Sequence, residues 1–228
     1  MKTKLILTNL FLLILLGFNL KTSGQPLSKN DITTIINGKV WAPKASISSG
    51  EQLFLEKLNL KGSILFKGIQ FDNLEFSYDI STEEIITPVE MFDKTKKIII
   101  VNPCFLEGFR ILDSSNEYEF LRGDLLHPEL STREYYQFVQ FNALKYIIKR
   151  KKIKNLKSDP SVKSQYLNSN SLFIIKDDEL LTINSKSDIL KIFSHQKKEV
   201  KRFIRNKKLK ISPRNPMDAT VLLSHFDL

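Results

Sequence analysis

Leu74-Glu75-Phe76-Ser77-Tyr78-Asp79-Ile80 decides the fold class. Apolar and polar residues alternate there with a period of two, which a strand turns into one buried and one wetted face. Upstream, Ser63–Phe71 is rich in apolar residues, and Asp72-Asn73 supplies turn chemistry, so 63–80 reads as a hairpin. Downstream, Glu84–Val89, Lys97–Val101, Phe109–Leu112 and Glu117–Leu121 are short apolar-rich runs between polar breaks. That spacing is what an antiparallel meander produces.

The pattern continues past residue 130. Tyr135–Phe141 and Leu144–Lys149 predict a hairpin across Asn142-Ala143, with a helix over 132–150 as the competing reading. The density of aromatic and β-branched side chains favours strands. Residues 154–170 are rich in Ser, Asn and Lys and read as a flexible loop or a boundary. Leu172–Lys176 and Glu179–Asn184 flank Asp177-Asp178 as a further hairpin. Residues 27–60 form an opening segment in which Asn37-Gly38 marks a turn.

The tail changes to helical periodicity. Ser187 is placed to cap a helix bearing Ile189, Leu190 and Phe193. A second helix starts near Gln196, with Val200, Phe203 and Ile204 inward. A third has Asn215 as cap, Pro216 at its first position and Asp218 in its first turn, with Met217, Val221, Leu222 and Phe226 as its apolar face. No internal repeat is present. The expected class is α+β: a mainly antiparallel, curved sheet with a short helical C-terminal element.

The N-terminus has the layout of a secretory signal. Lys2 and Lys4 precede a run from Leu5 to Leu20 that is apolar apart from Thr8, Asn9 and Asn19, and Thr22-Ser23-Gly24 leads to Gln25-Pro26. The expected organisation is a signal peptide over 1–25 and one α+β domain over 26–228. The run is shorter than the ~20 residues of a comfortable membrane span, and no later segment matches its length, so the mature body is expected not to be membrane-integral. No cysteine lies near the cleavage position to take a lipid. The lone Cys104 has no partner for an internal disulfide, and its apolar setting predicts a buried structural thiol.

Charge divides the chain. Hydrophobic content of 42% and charged content of 26% suit a globular body, and the formal net charge is +10. From Pro26 to Gln140 there are 12 basic and 17 acidic residues, a net of −5; from Phe141 to Leu228 there are 20 and 8, a net of +12. Two runs concentrate the excess. The first is Lys145, Lys149, Arg150, Lys151, Lys152, Lys154 and Lys157. The second holds Lys197, Lys198, Lys201, Arg202, Arg205, Lys207, Lys208 and Lys210. A solvated face in a lysine-rich chain accounts for both. The functional reading singles out Lys197, Lys198, Lys201, Arg202, Arg205 and Lys208 as contacts for anionic lipid, glycan or an acidic envelope protein. Nucleic acid is disfavoured, because no stacking-aromatic motif accompanies the charge.

Catalytic signatures are sparse. His127, His195 and His225 are separated by 68 and 30 residues, a spacing that matches no metal motif. No Gly-flanked serine elbow is present, and the eight glycines are too scattered to cradle phosphate, so no cofactor is expected. Among acidic pairs, Glu83-Glu84 and Asp177-Asp178-Glu179 fall in turns, and Glu117 with Glu119 share the polar face of a strand without an apolar pocket to shift them.

The signal ending Ser23-Gly24-Gln25, the strand carrying Tyr78-Asp79, and the tail Lys186-Ser187-Asp188-Ile189-Leu190 with Lys197-Lys198-Glu199-Val200 and Phe203-Ile204-Arg205 together resemble uncharacterised exported proteins of the Bacteroidota. The resemblance implies export and brings no activity or catalytic residues with it. The expected function is a non-enzymatic envelope protein that binds or scaffolds through a basic C-terminal face. Two alternatives stand beside it. One is a hydrolase assembled from His127, Glu117 and Cys104. The other is a β-cup holding an apolar ligand.

Overall fold

The computed structural model describes residues 33–42, 52–141, 144–155 and 165–226. The leader over 1–25 and most of the 154–170 segment lie outside them. Among the described residues, thirteen strands form an eleven-stranded sheet in the order β1-β5-β4-β3-β2-β6-β7-β8-β9-β12-β13 and a separate β10-β11 ribbon, every pairing antiparallel. The strands are β1 Ile36–Val40, β2 Leu60–Phe66, β3 Ile69–Asp79, β4 Glu84–Glu90, β5 Lys96–Val101, β6 Leu106–Asp113 and β7 Asn116–Arg122. They continue as β8 Tyr135–Gln140, β9 Lys145–Lys149, β10 Lys152–Asn155, β11 Gln165–Asn168, β12 Ser171–Lys176 and β13 Glu179–Thr182. Helices are α1 Gly123–Leu126, α2 Lys186–Ile192, α3 Lys197–Asn206 and α4 Pro216–His225. The protein is α+β, as its periodicity predicts.

β2 is the axis of the sheet. One meander runs outward from it through β3, β4 and β5. The chain then returns to pair β6 against its other edge, and a second meander runs outward through β7, β8 and β9. Gly62 permits this double pairing: a Cβ there would sit 1.9 Å from the carbonyl oxygen of Arg110 on β6. The β2–β3 turn is not at Asp72-Asn73 as expected. It lies at Lys67-Gly68, whose φ angles of 52° and 72° suit a tight hairpin. Asn73 does adopt the left-handed conformation, φ 57°, but the register slips there between Gly62↔Leu74 and Ile64↔Phe71. A residue tolerant of positive φ serves a bulge as readily as a turn. Asn37-Gly38 repeats the lesson, lying within β1 where its pairing with β5 is irregular.

The sheet curls. Four strand intervals separate β3 from β8, which would span about 19 Å in a flat sheet. Yet the Tyr78 and Tyr135 rings stand 6.4 Å apart. Phe54, Phe76, Tyr78, Phe109, Phe120 and Tyr135 fill the concave side. Phe109 stacks on Phe120 at 4.7 Å, and the other ring contacts are edge-on. Buried rings occupy this interior.

Directly paired residues share a face, so one row can be followed across six strands: Ile64, Phe109, Phe120, Gln137, Ile148 and Leu172. The first three belong to the aromatic core. Ile148 and Leu172 belong to a second core roofed by α2, α3 and α4. Gln137, buried, stands between the two. On the opposite face Leu121, Tyr136, Ile147 and Ile175 pack with Leu126 and Leu130.

The helices follow their sequence signals with local adjustments. Asp188 accepts hydrogen bonds from the backbone N–H groups of Asn184 and Ser185, so the cap of α2 is Ser185 rather than Ser187. The Asn184 N–H, with the Ser185 hydroxyl and Lys191, holds the Asp188 carboxyl below its ordinary value. In α4, Met217 and Val221 face solvent, whereas Ala219, Leu222, Leu223 and Phe226 are buried. The helix is apolar on more than one side, which left the orientation open to either reading. Among the described residues, no helix is long and apolar enough to cross a membrane.

Replacing Gly62 with Ala forces β2 away from β6 and is expected to cost about 3 kcal/mol. Gly68→Ala meets no neighbour within 4 Å but strains a positive φ, and should cost about 1 kcal/mol. Urea unfolding of the two variants tests that ranking.

Candidate functional site: a basic helical face and a buried ion cluster

The two basic runs have different fates. α3 is short and amphipathic, with Val200 and Ile204 buried against the second core and Phe203 half-buried. Lys197, Lys201 and Arg205 stand one turn apart, and Lys198 and Arg202 form the adjacent row. These five and Lys207, Lys208 and Lys210 are all exposed. Among the described residues, none of the eight side-chain cations pairs with a carboxylate, although the Lys210 backbone N–H donates to Asp218 Oδ2 at 2.6 Å. The structure therefore gathers Lys197, Lys198, Lys201, Arg202, Arg205 and Lys208 on one short element. Arg205, Lys207 and Lys208 also sit where the helix C-terminus favours cations.

The first run does not form a face. Lys149 is 5% exposed, and its ammonium lies 2.6 Å from Glu83 Oε1 and 3.8 Å from Glu134. It also donates to the Tyr135 carbonyl oxygen at 3.3 Å and stands over the Tyr136 ring. Arg150 donates from Nε to the Gln137 side-chain oxygen at 2.8 Å. Lys152 donates to Leu53 O and pairs with Glu56 at 3.1 Å. Lys154 is backbone-paired with Tyr166 in the β10–β11 ribbon, and Lys157 lies outside the described residues. Lys149 ends β9 and Arg150 follows it, so strand alternation sends these neighbouring cations to opposite faces, which a count of charge along the chain does not register.

Glu83 was expected to be a turn acid. Its backbone is left-handed, φ 60°, as a turn demands, but its carboxylate points inward. Oε2 accepts from Tyr78 Oη at 2.7 Å and from the Tyr135 N–H at 3.1 Å. Burial raises its pKa above the ordinary 4.5 in spite of Lys149, Tyr78 and Tyr135. Tyr78, fully buried, is pushed well above 10.0 by burial and then by Glu83. Tyr136, which donates to Glu134, is pushed up to about 12 by burial first. The cluster is an interior lock with every polar atom engaged, rather than an open cleft.

The remaining candidates do not converge. Glu117 pairs with Arg110 at 2.8 Å, five residues along β7 from Arg122. At about 3.3 Å per residue that places it ~17 Å from the strand end that leads to His127. Cys104, expected to be buried, is exposed in the β5–β6 turn, where its N–H donates to Asn102 Oδ1. A single apolar neighbour on each side does not bury a turn residue. His127 contacts the Asp178 carbonyl oxygen at 3.1 Å, His195 is exposed, and His225 stacks on Phe203 at 4.1 Å. Glu119 does feel burial, which raises its pKa against the pull of Arg110. Asp177 and Asp178 both have positive φ and form a tight β12–β13 turn. Among the described residues no three His, Cys, Asp or Glu side chains gather to hold a metal ion. No known protein family, curated protein or solved structure matches the chain.

Lys149→Met leaves the buried Glu83 carboxylate uncompensated and should cost about 3–5 kcal/mol, much of it recovered by adding Glu83→Gln. With Glu83 raised, the native state binds more protons than the unfolded chain from pH 4.5 up to its folded pKa. The contribution of Glu83 to stability therefore falls as pH rises through that window, and Glu83→Gln should make the slope shallower, leaving the part due to Glu119. Denaturation midpoints across pH test both outcomes.

Proposed function

We propose that this protein is an exported, non-enzymatic envelope module whose C-terminal helical layer docks on an anionic lipid surface. The observation that carries the reading is the α3 face: eight exposed cations on and just after one helix, none of whose side chains forms an ion pair among the described residues. Like charges one turn apart destabilise a helix by about 0.2–0.5 kcal/mol per pair. Lys197/Lys201, Lys201/Arg205 and Lys198/Arg202 are three such pairs. A merely solvated helix would relieve them with an occasional acid, and α3 offers only Glu199.

A lipid surface fits this face better than a shaped partner. The cations belong to flexible side chains spread along a convex helix, with its apolar residues turned inward. Such a face matches a diffuse negative surface rather than a defined groove. The leader-like N-terminus supports export, since Lys2 and Lys4 precede an apolar run of signal-peptide length. Packing of β9, β12 and the helical roof supplies a rigid platform for the charge.

The test is co-sedimentation with phosphatidylglycerol-containing vesicles against phosphatidylcholine vesicles. Each cation near such a surface contributes about 1 kcal/mol, so combined Lys201→Glu, Arg202→Glu and Arg205→Glu should weaken binding by at least ~100-fold and flatten its dependence on salt. Equal binding to neutral vesicles, or no loss in the triple variant, overturns the reading. Retention by an acidic glycan or an acidic protein but not by vesicles would replace lipid as the partner.

A further inference from the structure

A second concentration of positive charge lies at the seam between the two cores, away from the exposed face of α3. In the residue row that crosses the sheet, Gln137 takes the place of an apolar side chain, and Arg150 reaches over to donate to it. A pocket of about 310 Å³ opens there. Phe54, Leu55 and Ile80 from the aromatic side and Pro216 from the helical side form its apolar walls. Its polar lining is Arg150, Lys151, Lys152, Arg214, Asn168 and Asn170, with Glu56 the one acid. Glu56 is already engaged by Lys152 at 3.1 Å.

Arg150 is the decisive group. Its guanidinium is largely buried, and its contacts among the described residues are neutral: the Gln137 side-chain oxygen at 2.8 Å and Met217 Sδ at 3.7 Å. Burial lowers its pKa, against the weaker pull of Tyr146 and Tyr118. A desolvated cation beside a pocket, with Lys151 and Arg214 at the rim besides the paired Lys152, is a costly arrangement unless an anion meets it. An anion in the pocket would remove the cost. α4 begins at Pro216 on the pocket wall, so the positive end of its dipole adds to the same field. The planar fork of Arg150, the Asn168 amide and the Asn170 amide N–H that is left beside its bond to the Pro213 carbonyl oxygen at 3.1 Å match a tetrahedral oxyanion.

We propose that this seam pocket binds a phosphate group, held by Arg150, Lys151 and Arg214 and oriented by Asn168 and Asn170. A compact group fits because the pocket is small and walled on two sides by apolar residues. The group could arrive as the free ion or carried on a sugar, and the same donors would meet it in either case. The site is independent of α3 binding to lipid.

The experiment is isothermal titration of the protein with inorganic phosphate and with glucose 6-phosphate, using chloride and glucose as controls, alongside backbone amide shifts. Saturable binding of either phosphate, with shifts at Arg150, Lys151, Asn170 and Arg214, is expected. Tighter binding of the sugar phosphate would identify a carried group, and equal binding the free ion. Lys151 and Arg214 are exposed, so Lys151→Ala with Arg214→Ala should leave the fold intact and weaken binding at least ~10-fold. Arg150→Gln should abolish it; if that variant fails to fold, the double variant decides. The Lys201→Glu, Arg202→Glu, Arg205→Glu protein should bind phosphate unchanged. No saturable binding tighter than about 1 mM, equal affinity in the double variant, or shifts confined to α3 would overturn the proposal.

Discussion

The contact on which the curled sheet depends is the reach of Glu83 from the β3–β4 turn to Tyr135 and Lys149. An antiparallel sheet of eleven strands has no reason of its own to bring β3 beside β8. Twist supplies curvature, and aromatic burial supplies the drive, but both are tolerant of slippage. A carboxylate that accepts from Tyr78, from the Tyr135 N–H and from a buried ammonium is not tolerant. Any other relative placement of the two edges would strand one of these charges away from water. The ion cluster therefore selects among the ways of curling, while the rings beneath it provide most of the favourable free energy. Whether such buried ions add stability over an apolar replacement is a separate matter from the geometry they enforce.

Much of the secondary structure was legible because the periodicities are clean. Leu74–Ile80 alternates without error, and the aromatic density around Tyr135 and Tyr146 separates strand from helix correctly. Turn chemistry was legible only as backbone conformation. Asn73 adopts the positive φ its side chain invites, yet the chain spends it on a bulge, because the turn had already been made five residues earlier at Gly68. Nothing local distinguishes those uses; the pairing partner does. Glu83 shows the same limit in charge form. Its sequence neighbours, Thr82 and Glu84, mark a solvent-side turn, and the lysine that draws it inward is on β9.

The candidate face was legible for a related reason. Helix α3 places its cations by its own periodicity, so Lys197, Lys201 and Arg205 align whatever the rest of the chain does. The first basic run was misread because a strand alternates. Lys149 and Arg150 are neighbours in sequence and serve different sides of the sheet, one bound to Glu83 and one to Gln137. Charge density along a chain is a surface property on an exposed helix. It becomes an interior property where the strand is covered on both faces.

That distinction bears on the seam. Two apolar cores on one side of a continuous sheet would merge if the row across them were wholly apolar. Gln137 interrupts the row, and Arg150 follows it into the gap, so the interruption is built from groups that hydrogen-bond each other and still leave guanidinium N–H groups to offer. β9 is thus asked for three things in five residues. Tyr146 and Ile148 complete the helical core, Ile147 completes the opposite face, and Lys149 anchors the lock, which leaves Arg150 as the first residue past the strand able to turn toward the gap. The polarity of the seam and the position of the lock are consequences of the same register, and a one-residue slip of β9 would exchange the buried lysine for the seam arginine.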